Sequence, residues 1–233
     1  MAQLQNMPQV VLDPIKLVAY CKTWNATKAE LPKASGEKVG KLCDESVSSA
    51  LAHMLGGLKI CPPKSSTALL PPYPECVEVG PTRVIGGIRP QNFDVVYRPD
   101  GIRFAYDSKT LNTKMSVGKN YQNMINDLGT EAATVHTRFP TAVVAFLFAV
   151  PLPCLGNHRP GLLGALSRLG GRLTTNADLH KAEAIAIAAY DPMTGKLDPT
   201  WPPPTMAKLR LDNFHLQVQA CYLERFAGLP PHR

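Results

Sequence analysis

Asn92-Phe-Asp-Val-Val-Tyr97, Arg98-Pro-Asp-Gly101 and Ile102-Arg-Phe-Ala-Tyr-Asp-Ser-Lys109 form the stretch on which the fold turns. Two runs rich in β-branched and aromatic residues flank a Pro-Asp-Gly segment, which predicts a β-hairpin. Side chains alternate along a strand. Ile102, Phe104, Tyr106 and Ser108 therefore share one face, and Arg103, Ala105, Asp107 and Lys109 share the other. Asp94 joins the face of Asp107 only when paired residue numbers sum to an odd value. A two-residue loop, with Arg98 opposite Gly101, puts Asp94 opposite Ala105 and meets that condition. A three-residue turn with a bulge puts Asp94 opposite Tyr106, on the wrong face. In that case a bulge or bend near Asp94 must restore the pairing of faces.

Outward from the hairpin, Thr141–Val150 is a continuous apolar run, as expected of a central strand covered on both sides. Between lies a helical pattern over about Lys119–His136, with Tyr121, Met124, Ile125, Leu128, Ala132 and Val135 on its buried side. Pro140 ends it. Ahead of the hairpin, Ser35 is read as the N-cap of a helix over about 36–55, with Val39, Cys43, Val47, Ala50, Leu51 and Met54 on one face. Pro14–Trp24 reads as a short helix, Pro62–Gly80 as an irregular proline-rich connection and Arg83–Ile88 as a short strand. Further on, Pro160–Leu169 reads as a helix closed by Gly170-Gly171. Ala182–Tyr190 reads as a strand because its isoleucines alternate, and 207–227 as a last amphipathic helix. Helices interleaved with strands predict an α/β fold, a mixed central sheet flanked by helices. The prolines mark loops rather than a linker, so 1–233 is read as one domain, with its core over about 35–190.

Composition narrows the function. Hydrophobic residues make up 45% and charged residues 18%, which excludes a disordered chain and a long coiled coil. Twenty-five Lys and Arg against 18 Asp and Glu give a formal charge of +7, which suits an anionic partner. No apolar run reaches the ~20 residues of a membrane helix. The first residues carry no secretory pattern, and the six cysteines lack paired spacing, so a cytoplasmic protein with reduced thiols is expected. There is no P-loop or GxGxxG, so no nucleotide cofactor is expected.

The chemistry candidates are Asp94, Asp107 and Lys109. Two carboxylates can hold a hard divalent cation through oxygen. Such a cation polarises a phosphate and lowers the pKa of bound water. A lysine beside it can orient or deprotonate that water, or stabilise charge on the phosphate.

Asp94 followed at a distance by Asp107-Ser108-Lys109 resembles the PD-(D/E)xK nuclease superfamily, in which an acid and a (D/E)-x-K tripeptide lie on adjacent strands of a hairpin. Phe93 stands where the family's name has proline. Element order supports the resemblance over about 35–150: a helix carrying acids, the hairpin, a helix and an apolar strand. The Asn- and Lys-rich stretch Gly118–Asp127 is similar to the helix that follows the catalytic strand in type II restriction endonucleases. The resemblance implies a restriction-endonuclease-like core and an Mg²⁺-dependent DNA endonuclease, with Mn²⁺ able to substitute. It implies metal binding by Asp94 and Asp107, with Glu37 or Asp44 of the preceding helix as further candidates. It implies double-stranded DNA as partner and products ending in 5′-phosphate and 3′-hydroxyl. A homodimer matches a palindromic site.

Lys114, Lys119, Asn120 and Asn123 are candidate DNA contacts, because lysine binds phosphates and asparagine can read adenine edges. Between Arg98 and Lys119 the basic residues outnumber the acids, so the excess charge gathers around the proposed site. Two other readings stay open on the residues alone. One is a non-specific repair or mobile-element nuclease of the same fold. The other is a non-catalytic DNA-binding α/β module whose acids are solvated surface charges.

Overall fold

The computed structural model describes residues 3–232, except for the side chains at 116 and 118–121. The apolar run forms β5 (Val143–Pro151), in which every residue is buried. It lies between β4 (Phe104–Thr110) and β6 (Ala184–Tyr190), parallel to both. On the other side of β4, β3 (Pro90–Tyr97) and β2 (Cys76–Ile85) continue the sheet antiparallel, and β1 (Lys59–Cys61) adds a short parallel edge. The sheet is mixed, and its spatial order β1-β2-β3-β4-β5-β6 is also its order in the chain.

Helices cover both faces. One face packs against α1 (Pro14–Tyr20), α2 (Lys33–Met54) and α6 (Leu211–Phe226). The other packs against α3 (Lys114–Arg138), α4 (Leu152–Leu155) and α5 (Arg159–Leu169). The alternation in β6 divides its side chains accordingly. Ile185 and Ile187 face α5, while Ala184, Ala186 and Ala188 leave the opposite side smooth for α6. Among the described residues no helix is long and apolar enough to cross a membrane.

Several boundaries differ from the sequence expectation, each for a local reason. α2 begins at Lys33, and the Ser35 hydroxyl pairs with Thr23 Oγ1 at 3.0 Å instead of capping the helix. The proline-rich connection ends earlier than read, because Cys76–Gly80 pairs as the start of β2. The last helix breaks at Arg210, leaving a 3₁₀ segment over Pro204–Leu209 before α6. There the Arg210 guanidinium is turned back onto the carbonyls of Pro199 and Pro202.

Neither tight turn forms at the hairpin. Tyr97 pairs with Phe104, so 98–103 is a wider connection. Arg98 is drawn into a buried ion pair with Glu78 at 2.6 Å, and Arg103 bonds Asp100. These residues are thereby withdrawn from the ladder. Paired numbers sum to an odd value all the same, so the register runs toward Asp94 opposite Asp107.

The turn between β2 and β3 is set against α3 at backbone range. Gly87 N–H donates to the Thr134 carbonyl at 2.8 Å. A Cβ at Gly86 would lie 2.3 Å from that same oxygen. Because backbone cannot swing aside as a side-chain tip can, Gly86→Ala should cost about 1–3 kcal/mol, the scale of overpacking. Urea denaturation monitored by circular dichroism measures it; an unchanged midpoint would refute the contact.

Candidate active site

β3 is irregular where Asp94 sits. Phe93 and Val96 pack toward α3 and α5, whereas Val95 and Tyr97 pack toward α2 and α6. Simple alternation would put Phe93 with Val95, so the strand breaks step between them. Across the sheet β2 also shifts register, placing Gly80 and Pro81 opposite Asp94. The irregularity expected near Asp94 is thus present, although the register of β3 and β4 does not require it.

The consequence is a fork. Beyond Val95 and Tyr106 the ladder between β3 and β4 stops, and a side chain takes its place. Ser108 donates its backbone N–H to Asp94 Oδ2 at 3.0 Å and its hydroxyl to the same oxygen at 3.1 Å. Asp94 opens onto a cleft of about 510 Å³ that is lined also by Glu37, Gly40, Lys41, Asp44 and Ser108. Asp107 and Lys109 share the α3 face, as the alternation predicted, and Lys109 donates to Asp107 Oδ2. The two halves meet at the fork, where the carboxyls of Asp94 and Asp107 come within hydrogen-bonding reach.

Electrostatics at the fork are dominated by crowded acids. Burial, and then Asp94 beside it, hold the Asp107 carboxyl well above the usual carboxylate range, against the pull of Lys109. Burial, and then the charge of Asp94, push Asp44 up to about 8, against a hydrogen bond from Ser108. Asp44 Oδ1 is buried with no hydrogen-bond partner among the described residues. Lys109 behaves oppositely. Burial disfavours its charge, but Asp107 and Glu131 together more than offset that and raise its pKa.

Of the two first-helix candidates, Asp44 faces Asp94. Glu37 lines the mouth of the cleft, with its side chain 61% exposed and a long ion pair of 3.9 Å to Lys33. Among the described residues neither Lys114 nor Asn123 is bonded to these acids; both are exposed on α3. The side chains of Lys119 and Asn120 lie outside the described residues. The charge argument needs correction. Arg98 and Arg103 are buried and committed to Glu78 and Asp100, so they do not present charge to a backbone phosphate.

The sequence reading missed Glu131. It projects from α3 and accepts from Lys109 Nζ at 2.9 Å with its side chain only 7% exposed. A signal existed. Glu131 falls between Leu128, Ala132 and Val135 on the apolar stripe of its helix, where a charge needs a partner.

Among the described residues no group of three or more His, Cys, Asp or Glu side chains is arranged to hold a metal ion. Mg²⁺ needs less. It is ordinarily held by one or two carboxylates and keeps several waters. The adjacent carboxyls of Asp94 and Asp107, and the unpartnered oxygen of Asp44, fit that demand. No family model, curated protein or solved structure matches the chain.

The crowding has a sign in pH. An unfolded Asp titrates near ~3.9, whereas folded Asp44 titrates at about 8. The folded state therefore binds the proton more tightly. Its contribution to stability is full below about pH 4 and is lost as pH rises through about 8. In EDTA, Asp44→Asn should shrink the fall in Tm between pH 5 and pH 8. A fall equal to that of the unaltered protein, by scanning calorimetry, would sink the crowding account.

Proposed function

We propose that the chain is an Mg²⁺-dependent DNA endonuclease of the PD-(D/E)xK type, with a restriction-endonuclease-like core. One observation carries the reading: the Asp94 and Asp107 carboxyls converge where β3 parts from β4, with the Lys109 ammonium alongside. The order α2, β2-β3-β4, α3, β5 adds support, since it sets the acids on neighbouring strands between two helices.

In this reading Asp94 and Asp107 hold Mg²⁺ or Mn²⁺, which when bound polarises the scissile phosphate and acidifies a water. Asp44 adds negative charge from the α2 side. Ser108 fixes Asp94 by its two donated hydrogen bonds. Lys109 supplies positive charge next to the phosphate oxygens. Lys114, Lys119, Asn120 and Asn123, along α3, are the proposed contacts to double-stranded DNA. A two-fold dimer would place two such sites on a palindrome. All six cysteines are free thiols, in keeping with action in the cytoplasm.

The test is incubation of supercoiled plasmid with the full chain in Mg²⁺, in Mn²⁺ and in EDTA. Discrete fragments support the restriction type, and a smear a non-specific nuclease of the same chemistry. Intact plasmid in both metals, across several plasmids and phage genomes, overturns the proposal.

A further inference from the structure

Lys109 has three N–H bonds to give, and two are committed. One goes to Asp107 on its own strand and one, at 2.9 Å, to Glu131 on α3. The side chain of Lys109 is 20% exposed, so the head group is enclosed but reachable. Glu131 is more deeply enclosed, and its second oxygen, Oε2, is buried without a partner among the described residues. Its position is not adjustable. Thr134, three residues on, is locked to the turn between β2 and β3 by the Gly87 hydrogen bond and the close approach of Gly86. The helix that carries Glu131 is thereby pinned at the level of Lys109.

We infer that Glu131 is a positioning residue that holds Lys109 as a cation beside Asp107, so that the lysine stabilises charge on the phosphate and does not abstract a proton. This inference rests on the nuclease reading for its catalytic consequence, but not for the pairing itself. The groups facing the ammonium set its charge. Asp107 stands on the same strand and Glu131 on α3. Asp94 faces Asp107 from β3, while Asp127 on α3 and Arg89 of the turn act on Glu131. From β5 the neighbour is Phe148, which carries no charge. Two flanking carboxyls favour the ammonium form, and a group held in that form is a poor base.

Two measurements decide it, using the full chain. The first is the pH dependence of plasmid cleavage in Mg²⁺ for the unaltered protein, Glu131→Gln and Glu131→Asp. Glutamine keeps an oxygen in place but removes the charge. The alkaline limb should move down by about one unit and kcat fall about tenfold or more, with KM little changed. Glu131→Asp keeps the charge, so its alkaline limb should stay nearer that of the unaltered protein. A fall in rate with no movement of the limb in Glu131→Gln would mean a merely structural role and overturn the inference.

The second measurement is acetylation of lysines by an N-hydroxysuccinimide ester at pH 8, read by mass spectrometry. Lys109 should react several-fold faster in Glu131→Gln than in the unaltered protein, with exposed Lys33 as the internal reference. Equal rates would overturn the pairing whether or not the protein cuts DNA. Intact plasmid together with a changed Lys109 rate would instead uphold the pairing and discard the nuclease reading.

Discussion

Asp107→Asn should cut supercoiled plasmid at least ~10³-fold more slowly than the unaltered protein in Mg²⁺, a loss of about 4 kcal/mol of transition-state stabilisation. Asparagine matches aspartate in shape, so the loss is one of charge. Without its carboxylate at the fork, a divalent cation keeps one close anionic ligand, Asp94, where the proposed site has two. The fold should survive. Burial and Asp94 already drive Asp107 toward its neutral form when no cation is present, so an uncharged side chain is tolerated there. Two thermal scans separate the possibilities. In EDTA, Tm of the variant should equal or exceed that of the unaltered protein. The rise in Tm on adding Mg²⁺ should nearly vanish, because that rise follows RT ln(1 + [L]/Kd). Cleavage at an undiminished rate, or an unchanged Mg²⁺ shift, would remove Asp107 from the site.

Glu183→Ala should cause the largest loss of stability, roughly 3–5 kcal/mol and roughly 10 °C in Tm. Glu183 precedes β6 and is buried at the far side of the sheet from solvent. Its Oε1 accepts from Arg172 at 2.9 Å and from Arg225 at 2.8 Å. Its Oε2 accepts from the Val144 backbone N–H at 2.7 Å and lies 3.2 Å from His136 Nε2. Those partners come from α3, β5, α6 and the loop after α5, so one carboxylate ties together both helical layers. Removing it leaves the Arg172 and Arg225 charges buried without their counter-charge, which is why the cost exceeds that of a lost hydrogen bond.

The same group has a defined acid signature. Burial raises its pKa, but His136 and the arginines together bring it below the usual range. Its contribution is therefore present above the unfolded value near ~4.3 and lost as pH falls through the folded one. Glu183→Gln, which keeps the shape, should lose stability at pH 7 and converge on the unaltered protein in acid. Equal urea midpoints at pH 7 would refute the network.

The α/β character, the central strand and the facing of Asp107 with Lys109 were legible in the sequence because periodicity reports burial directly. Thr141–Val150 could hardly be anything but an interior strand. The turn was misread because its residues have long-range partners: Glu78, on β2, decides where Arg98 goes. Ser35 failed as a cap for the same reason, since Thr23 competes for its hydroxyl. Arg172 looked like an ordinary cation at a helix end, yet it is 1% exposed and central to the Glu183 network. Glu131 and Glu183 each interrupt an apolar pattern with an acid. Local rules register such an interruption but cannot say which distant cation answers it.

The strands stand in space in the order in which they are synthesised. Each can dock on a neighbour already made, and none has to wait for a later strand to be inserted between two earlier ones. The sheet can thus grow vectorially from the ribosome, one edge always serving as the template for the next segment. The loops to be closed stay short, which favours fast assembly. The exception is α6, which must return to cover a face exposed since β2 formed. Until it docks, that apolar surface is open, and truncation before Leu211 should leave a chain that folds its sheet but aggregates.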